Sequence, residues 1–131
     1  MSILPRSLCA GLLCLLACDG TTGPVATGRW GGPEAELVLS KKGGTVVYAC
    51  GEGTIDGSWH ISPGGRWSAT GLHYFGGGPL PPQGREPHPA SYQGTFTDSR
   101  LRFTVTLTDL GEILGPFTLI RNESGPGNLC L

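Results

Sequence analysis

Three histidines, five cysteines and a scatter of serines are the side chains of this sequence with the chemistry for catalysis or metal binding. His60 and His73 fall on neighbouring predicted strands, and Glu52 or Asp56 would be the nearest third ligand for a metal. A zinc site needs at least three such ligands converging at short distance, and no compact ligand motif is present. The histidines, His88 included, therefore read as surface or barrel-mouth residues. Nucleophilic catalysis needs a serine or cysteine activated by an adjacent base. Ser68, Ser91 and Ser99 lie in strand and turn contexts, and no serine sits in a Gly-x-Ser-x-Gly turn. No glycine-rich loop leads into a helix, so nothing cradles a phosphate. The expectation is a chain with no catalytic residue, no metal and no cofactor.

The cysteines carry more information. After Arg6 comes an uncharged, mostly apolar run from Leu8 to Ala17. It is about half of what a helix needs to span a bilayer, and with its charged start it has the form of an export signal. The segment Leu15-Leu16-Ala17-Cys18 resembles the lipobox of bacterial lipoproteins. That resemblance implies removal of residues 1–17 and a thioether-linked diacylglycerol on Cys18, whose amine is usually acylated as well. Two or more acyl chains hold a protein on a membrane stably. The expected location is thus the cell envelope of a bacterium, on the inner or outer membrane. Residues 18–27 would be the lipidated cysteine and its tether. From Asp19 to Thr27 the tether reaches at most about 30 Å, which keeps the body close to the bilayer.

Cys9 and Cys14 leave with the signal, which leaves Cys50 and Cys130 in the exported body. An even pair in an oxidising compartment is most simply one disulfide. It would close a loop of about 80 residues, contributing roughly 4–5 kcal/mol in the chain-entropy model. A redox pair or a two-thiol metal site lacks a Cys-x-x-Cys spacing and a neighbouring histidine.

The elements that must position these residues are strands. Of 131 residues, 23 are Gly and 11 Pro, and these are the two worst residues inside a helix. The formal net charge of −1 is too balanced for a nucleic-acid binder that works by releasing phosphate counterions. A hydrophobic fraction of 38% is too high for a disordered chain. β-Branched and aromatic runs separated by turn residues predict strands over 29–31, 35–40, 45–50, 54–61 (with a bulge at Gly57), 66–75, 91–97, 100–108 and 112–121. The clearest is 100–108, where Leu101, Phe103, Val105 and Leu107 alternate with polar residues, a period of two with one apolar face. Residues 28–131 thus form a single all-β domain, an antiparallel up-and-down meander of about eight strands. Closing it into a small barrel removes both sheet edges; a β-sandwich is the alternative.

The body also resembles lipocalins at a few positions. Gly28-Arg29-Trp30 looks like the Gly-x-Trp that opens their first strand, and Arg121 ends the last predicted strand. The resemblance implies a barrel-closing pair in which Arg121 lies over Trp30. A bridge from Cys50 to the C-terminal tail is also similar to a common lipocalin disulfide. If such a barrel holds a cavity, Trp59, Trp67 and Tyr74 would line it. The Gly/Pro-rich loop 76–90 breaks the meander and is expected not to pair in a sheet; long loops of this kind are functional or exposed extensions.

The functional expectation is an exported lipoprotein whose body is a non-catalytic binding or interaction module, monomeric, with a membrane contact through its lipid and no nucleic acid. Its partner would be a protein or a small apolar ligand. The alternatives are a lipocalin-like carrier of such a ligand, favoured by a wide dry interior, and a periplasmic protease inhibitor acting through residues 19–27.

Overall fold

The computed structural model describes residues 26–76 and 85–127. Nine strands follow one another: β1 (Gly28–Gly31), β2 (Ala35–Ser40), β3 (Gly43–Tyr48), β4 (Gly51–Ile55), β5 (His60–Ile61), β6 (Arg66–Phe75), β7 (His88–Phe96), β8 (Arg100–Leu107) and β9 (Glu112–Arg121). All pairings are antiparallel between neighbours in the chain, with two exceptions that close the sheet. β1 pairs with β9, and β4 pairs with β6. The result is a closed eight-stranded barrel, with the two-residue β5 attached to β6 as a flap.

Side-chain alternation explains why this sequence closes in this way. In β2, Ala35, Leu37 and Leu39 are buried and Glu36, Val38 and Ser40 face outward; β8 repeats the pattern with Leu101, Phe103, Val105 and Leu107 inside. Because successive side chains point to opposite faces, one apolar set lines the whole interior. That interior is filled. Trp30, Trp67, Tyr92 and Phe103 are fully buried with Leu37, Leu101, Leu107 and Leu119 around them. An eight-stranded barrel is just wide enough to be packed by its own side chains. The outer wall carries Glu36, Thr45, Glu52, Thr54 and Gln93, with Val38 and Leu72 exposed among them. No helix among the described residues is long and apolar enough to cross a membrane.

The closing seam between β4 and β6 depends on glycine. A Cβ at Gly53 would lie 2.5 Å from the Tyr92 hydroxyl, and one at Gly71 would lie 1.8 Å from the Thr54 carbonyl oxygen. The Tyr92 hydroxyl uses that room to donate to the carbonyls of Thr54 (3.2 Å) and Leu72 (3.3 Å), one on each side of the seam. β9 crosses β8 with a register break between Phe103 and Val105.

Two expectations are corrected. The predicted strand over 54–61 is two pieces. The chain leaves the barrel at Asp56, whose carboxylate accepts from the Ser58 amide (2.9 Å), the Ser58 hydroxyl and the Thr70 hydroxyl (2.5 Å). An Asx-type turn is a local alternative to the ladder, so Gly57 marks an exit from the sheet and not a bulge within it. The second correction concerns the loop 76–90. His88, Pro89 and Ala90 pair with His73, Leu72 and Gly71. Pro89 has no amide to lose, and its carbonyl accepts from the Thr108 amide at 3.2 Å, while His88 and Ala90 turn into the barrel and are buried.

The two ends of the barrel differ. At one end lie the entering residues Ala26 and Thr27, the β2–β3 and β7–β8 turns and the end of β9. Here the Arg121 guanidinium carbon sits 4.2 Å from the Trp30 ring centroid and 5.8 Å from that of Phe96. Trp30 meets Phe96 edge-on at 5.5 Å and donates its indole N–H to the Ala26 carbonyl at 2.8 Å. Arg121 donates from Nε to the Asp98 carbonyl at 2.7 Å and from Nη1 to the Thr27 carbonyl at 3.4 Å. This end is plugged. At the other end, the mouth, lie the β1–β2, β3–β4 and β8–β9 turns and the start of β7.

Candidate functional site: the barrel mouth

The mouth is built by the turns themselves. Pro33 and Glu34 come from the β1–β2 turn, Ala49 and Cys50 from the β3–β4 turn, and Leu114, Gly115 and Phe117 from the irregular stretch of β9. Gly115 has φ +98°, a left-handed conformation that favours glycine, and a Cβ there would press on the Phe117 ring at 2.9 Å. Tyr48, His73 and Phe75 complete a cavity of about 340 Å³.

Its floor is aromatic. The Tyr48 ring lies 5.3 Å from His73 and 5.2 Å from Phe117, and His73 lies 4.7 Å from Phe75. Tyr48 is 6% exposed and His73 3%, yet neither the Tyr48 hydroxyl nor His73 Nδ1 has a hydrogen-bond partner. Tyr92 is the neighbouring phenol, and its hydroxyl acts on that of Tyr48. Burial first, and the neighbouring phenol second, push the Tyr48 hydroxyl far above its ordinary range; burial does the same for Tyr92. Both phenols are protonated at any working pH. Burial, and secondarily the facing His88, hold His73 below the usual imidazole value, so its ring is neutral near pH 7.

His88 closes one side of the mouth. It is the cross-strand partner of His73. Its Nδ1 lies 2.7 Å from the Asp109 carboxylate in the β8–β9 turn, and its Nε2 lies 3.7 Å from Glu86. Phe75 touches its ring edge-on at 5.3 Å. Phe75, at the end of β6, is an exposed apolar side chain on the rim, and Ile113, near the start of β9, is another exposed one at this end.

Charge is divided between the two ends. Lys41, Lys42, Arg66, Arg100, Arg102 and Arg121 outnumber Asp56 and Asp98 in the turns and strand ends at the plug, whereas Glu34, Glu86, Asp109 and Glu112 outnumber Arg85 in those at the mouth.

The residues singled out from sequence fare unevenly. Trp30 and Arg121 form the expected pair. Trp59, Trp67 and Tyr74 are not brought together, which corrects the expectation of a shared lining. Trp59 packs over the plugged end and donates its indole N–H to the Ser40 carbonyl at 2.7 Å. Trp67 is part of the filled interior. Tyr74 is out of phase with Trp67 on β6 and lies on the outer wall opposite Glu52. His60 and His73 do not meet either: His60 is exposed on β5 and contacts the Ser68 hydroxyl at 3.3 Å. That contact is long and exposed, and among the described residues no carboxylate is hydrogen-bonded to His60. Nor do the described residues hold any group of three or more side chains suited to a metal ion.

Cys18 and Cys130 lie outside the described residues, as do residues 19–25 of the tether. Cys50 sits in the β3–β4 turn and is not a free side chain. The tail after β9 climbs from the plug toward the mouth. The Asn122 amide donates to the Arg29 carbonyl at 2.8 Å, and the Gly125 amide donates to Glu36 Oε1 at 2.8 Å.

The functional floor escaped sequence reading because its members are far apart in the chain. From sequence His73 reads as a surface or barrel-mouth residue on a strand beside that of His60, with nothing to join it to Tyr48. The signal that would have joined them is the alternation of β6 in phase with Trp67, which turns His73 inward. Compared with family models, characterised proteins and solved structures, the chain matches none, and its architecture, a closed eight-stranded antiparallel barrel, is compatible with a lipocalin-like one.

Proposed function

We propose that this chain is an exported bacterial lipoprotein, anchored through lipid on Cys18, whose lipocalin-like barrel is a non-catalytic binding module presented away from the membrane. The observation that carries the reading is the polarity of the barrel. The chain enters at the plugged end, beside Thr27 and Arg121, so a short tether brings that end to the bilayer. The basic residues gathered there suit an anionic phospholipid surface, where each is worth about 1 kcal/mol when close to the headgroups. The acidic, aromatic mouth then points outward.

The filled interior favours a module that binds at its mouth over a carrier that swallows an extended apolar ligand. A carrier needs a dry cavity enclosing most of its cargo, and here Trp30, Trp67, Tyr92 and Phe103 occupy that space. The Cys50–Cys130 disulfide belongs to the same proposal. The path of the tail past Glu36 supports it, because Glu36 pairs with Val47, just below the turn that carries Cys50.

Expression in a bacterium with lipoprotein processing, followed by detergent phase partition, tests the anchor. The natural chain is expected in the detergent phase and Cys18→Ala in the aqueous phase or as unprocessed precursor. Equal partition of the two would refute it.

A further inference from the structure

We infer that the mouth is a binding site for a compact organic cation, a small amine or quaternary ammonium. The inference deepens the reading of the barrel as a binding module and does not depend on the lipid.

The cavity holds aromatic faces and one formal charge. Tyr48, His73, Phe75 and Phe117 line it, and Glu34 is the charged side chain at its edge; no lysine or arginine lines it among the described residues. These rings lie at centroid distances of 4.7–5.3 Å, tilted against one another, along one small volume. A cation is drawn to such faces by the ring quadrupoles, more strongly when it is desolvated, and this is how methylated ammonium groups are recognised. A carboxylate at the rim adds direct attraction.

A second observation points the same way. Tyr48 and His73 are both more than nine-tenths buried, and each leaves a polar atom without a partner. Buried polar atoms are nearly always satisfied, so a pair of orphans beside a cavity marks where a bound molecule or its water would supply hydrogen bonds. His73 is neutral and adds no repelling charge. At about 340 Å³ the space is at the small end of ligand pockets, which fits a compact head and excludes a long chain. At this end the carboxylates of Glu34, Glu86, Asp109 and Glu112 outnumber the Arg85 guanidinium, and the net negative charge raises the local concentration of cations.

The test is calorimetric titration of the full chain with choline and with its neutral carbon isostere, 3,3-dimethylbutan-1-ol, together with a sedimentation arm using phosphatidylcholine vesicles. Choline is expected to saturate at millimolar concentration or below and to bind at least about tenfold more tightly than the isostere, the ratio that one desolvated cation–π contact supplies. Glu34→Gln, at an exposed position, and Phe75→Leu, which gives up ring contacts with His73 and His88 and is titrated well below its own melting temperature, should each weaken choline about three- to tenfold. Equal affinity for choline and the isostere, or no saturable heat with choline, would overturn the assignment. So would retention on vesicles without a response to free choline, because the apolar rim and not the cage would then be the binding element. Failure here leaves the detergent partition of the Cys18 anchor untouched, so the two readings fail separately.

Discussion

The Arg121 guanidinium lies 4.2 Å above the Trp30 ring and ties three parts of the chain together, through the carbonyls of Asp98 and Thr27 and the paired backbone of β1 and β9. A planar cation with several fixed donors does this; an ammonium offers a point charge in place of the fork. The pair also marks the end at which the chain enters the barrel.

Replacing Arg121 should therefore be costly. Arg121→Ala removes the stacking contact and the charge-assisted bonds, for a loss of about 2–4 kcal/mol. Arg121→Lys should recover less than half, because it restores neither the planar stack nor the two-sided bonding. Urea unfolding of the three proteins measures both differences.

The seam between β4 and β6 predicts a different pattern. Tyr92→Phe keeps the ring packing and deletes one hydroxyl shared by two carbonyls, so about 1 kcal/mol is expected. Gly53→Ala puts a methyl where the Tyr92 hydroxyl sits and should cost more, about 1–3 kcal/mol. Combining them should cost less than the sum of the two, because the phenylalanine removes the atom in conflict. A double-mutant cycle by thermal unfolding reads the coupling.

Acid should weaken the fold through His73. Its folded pKa is lowered, first by burial and then by His88. Above the unfolded value of 6.5 both states are neutral and nothing is lost. As pH falls below it, the unfolded chain binds a proton that the folded chain resists, so stability declines until the lowered folded pKa is passed. The groups facing His73 are Tyr48, which stays protonated, and His88 with Asp109 and Glu86 behind it. His73→Phe should flatten the stability curve between pH 6.5 and the acid limb; an unchanged slope would assign the loss elsewhere.

Reduction should loosen the tail. If Cys50 and Cys130 are joined, a reductant or the pair of serine substitutions lowers stability by roughly 4–5 kcal/mol, and peptide mapping under non-reducing conditions recovers the two cysteines in one fragment. Separate fragments would leave the tail held by its backbone bonds to Arg29 and Glu36 alone.

The architecture was readable because β8 and β2 carry clean two-residue alternation, and because strict nearest-neighbour order with short turns leaves few ways to hide sheet edges. Strand limits were missed where glycine stands in for a buried side chain. Gly51 and Gly53 face the interior of β4 but carry no apolar signal, so the strand was placed too late, and Asp56 ended it by a local turn that no periodicity reveals. His88 and Pro89 were hidden in a run whose composition reads as loop. The plug was legible from Trp30 and Arg121. At the mouth the histidines were legible as barrel-mouth residues, and His73 and His88 lie there; the floor was not, since it depends on Tyr48 of β3 and His73 of β6 that only the closed sheet places together, and the uneven charge of the two ends depends on which end each turn occupies.

The proposed anchor hangs the barrel from a membrane by its plugged end. Intact-mass measurement of the natural chain recovered from its own membrane tests it most directly. The account predicts a polypeptide that begins at Cys18 and carries the added mass of diacylglycerol, with or without a further acyl group. A soluble product whose Cys18 is unmodified or absent would contradict it.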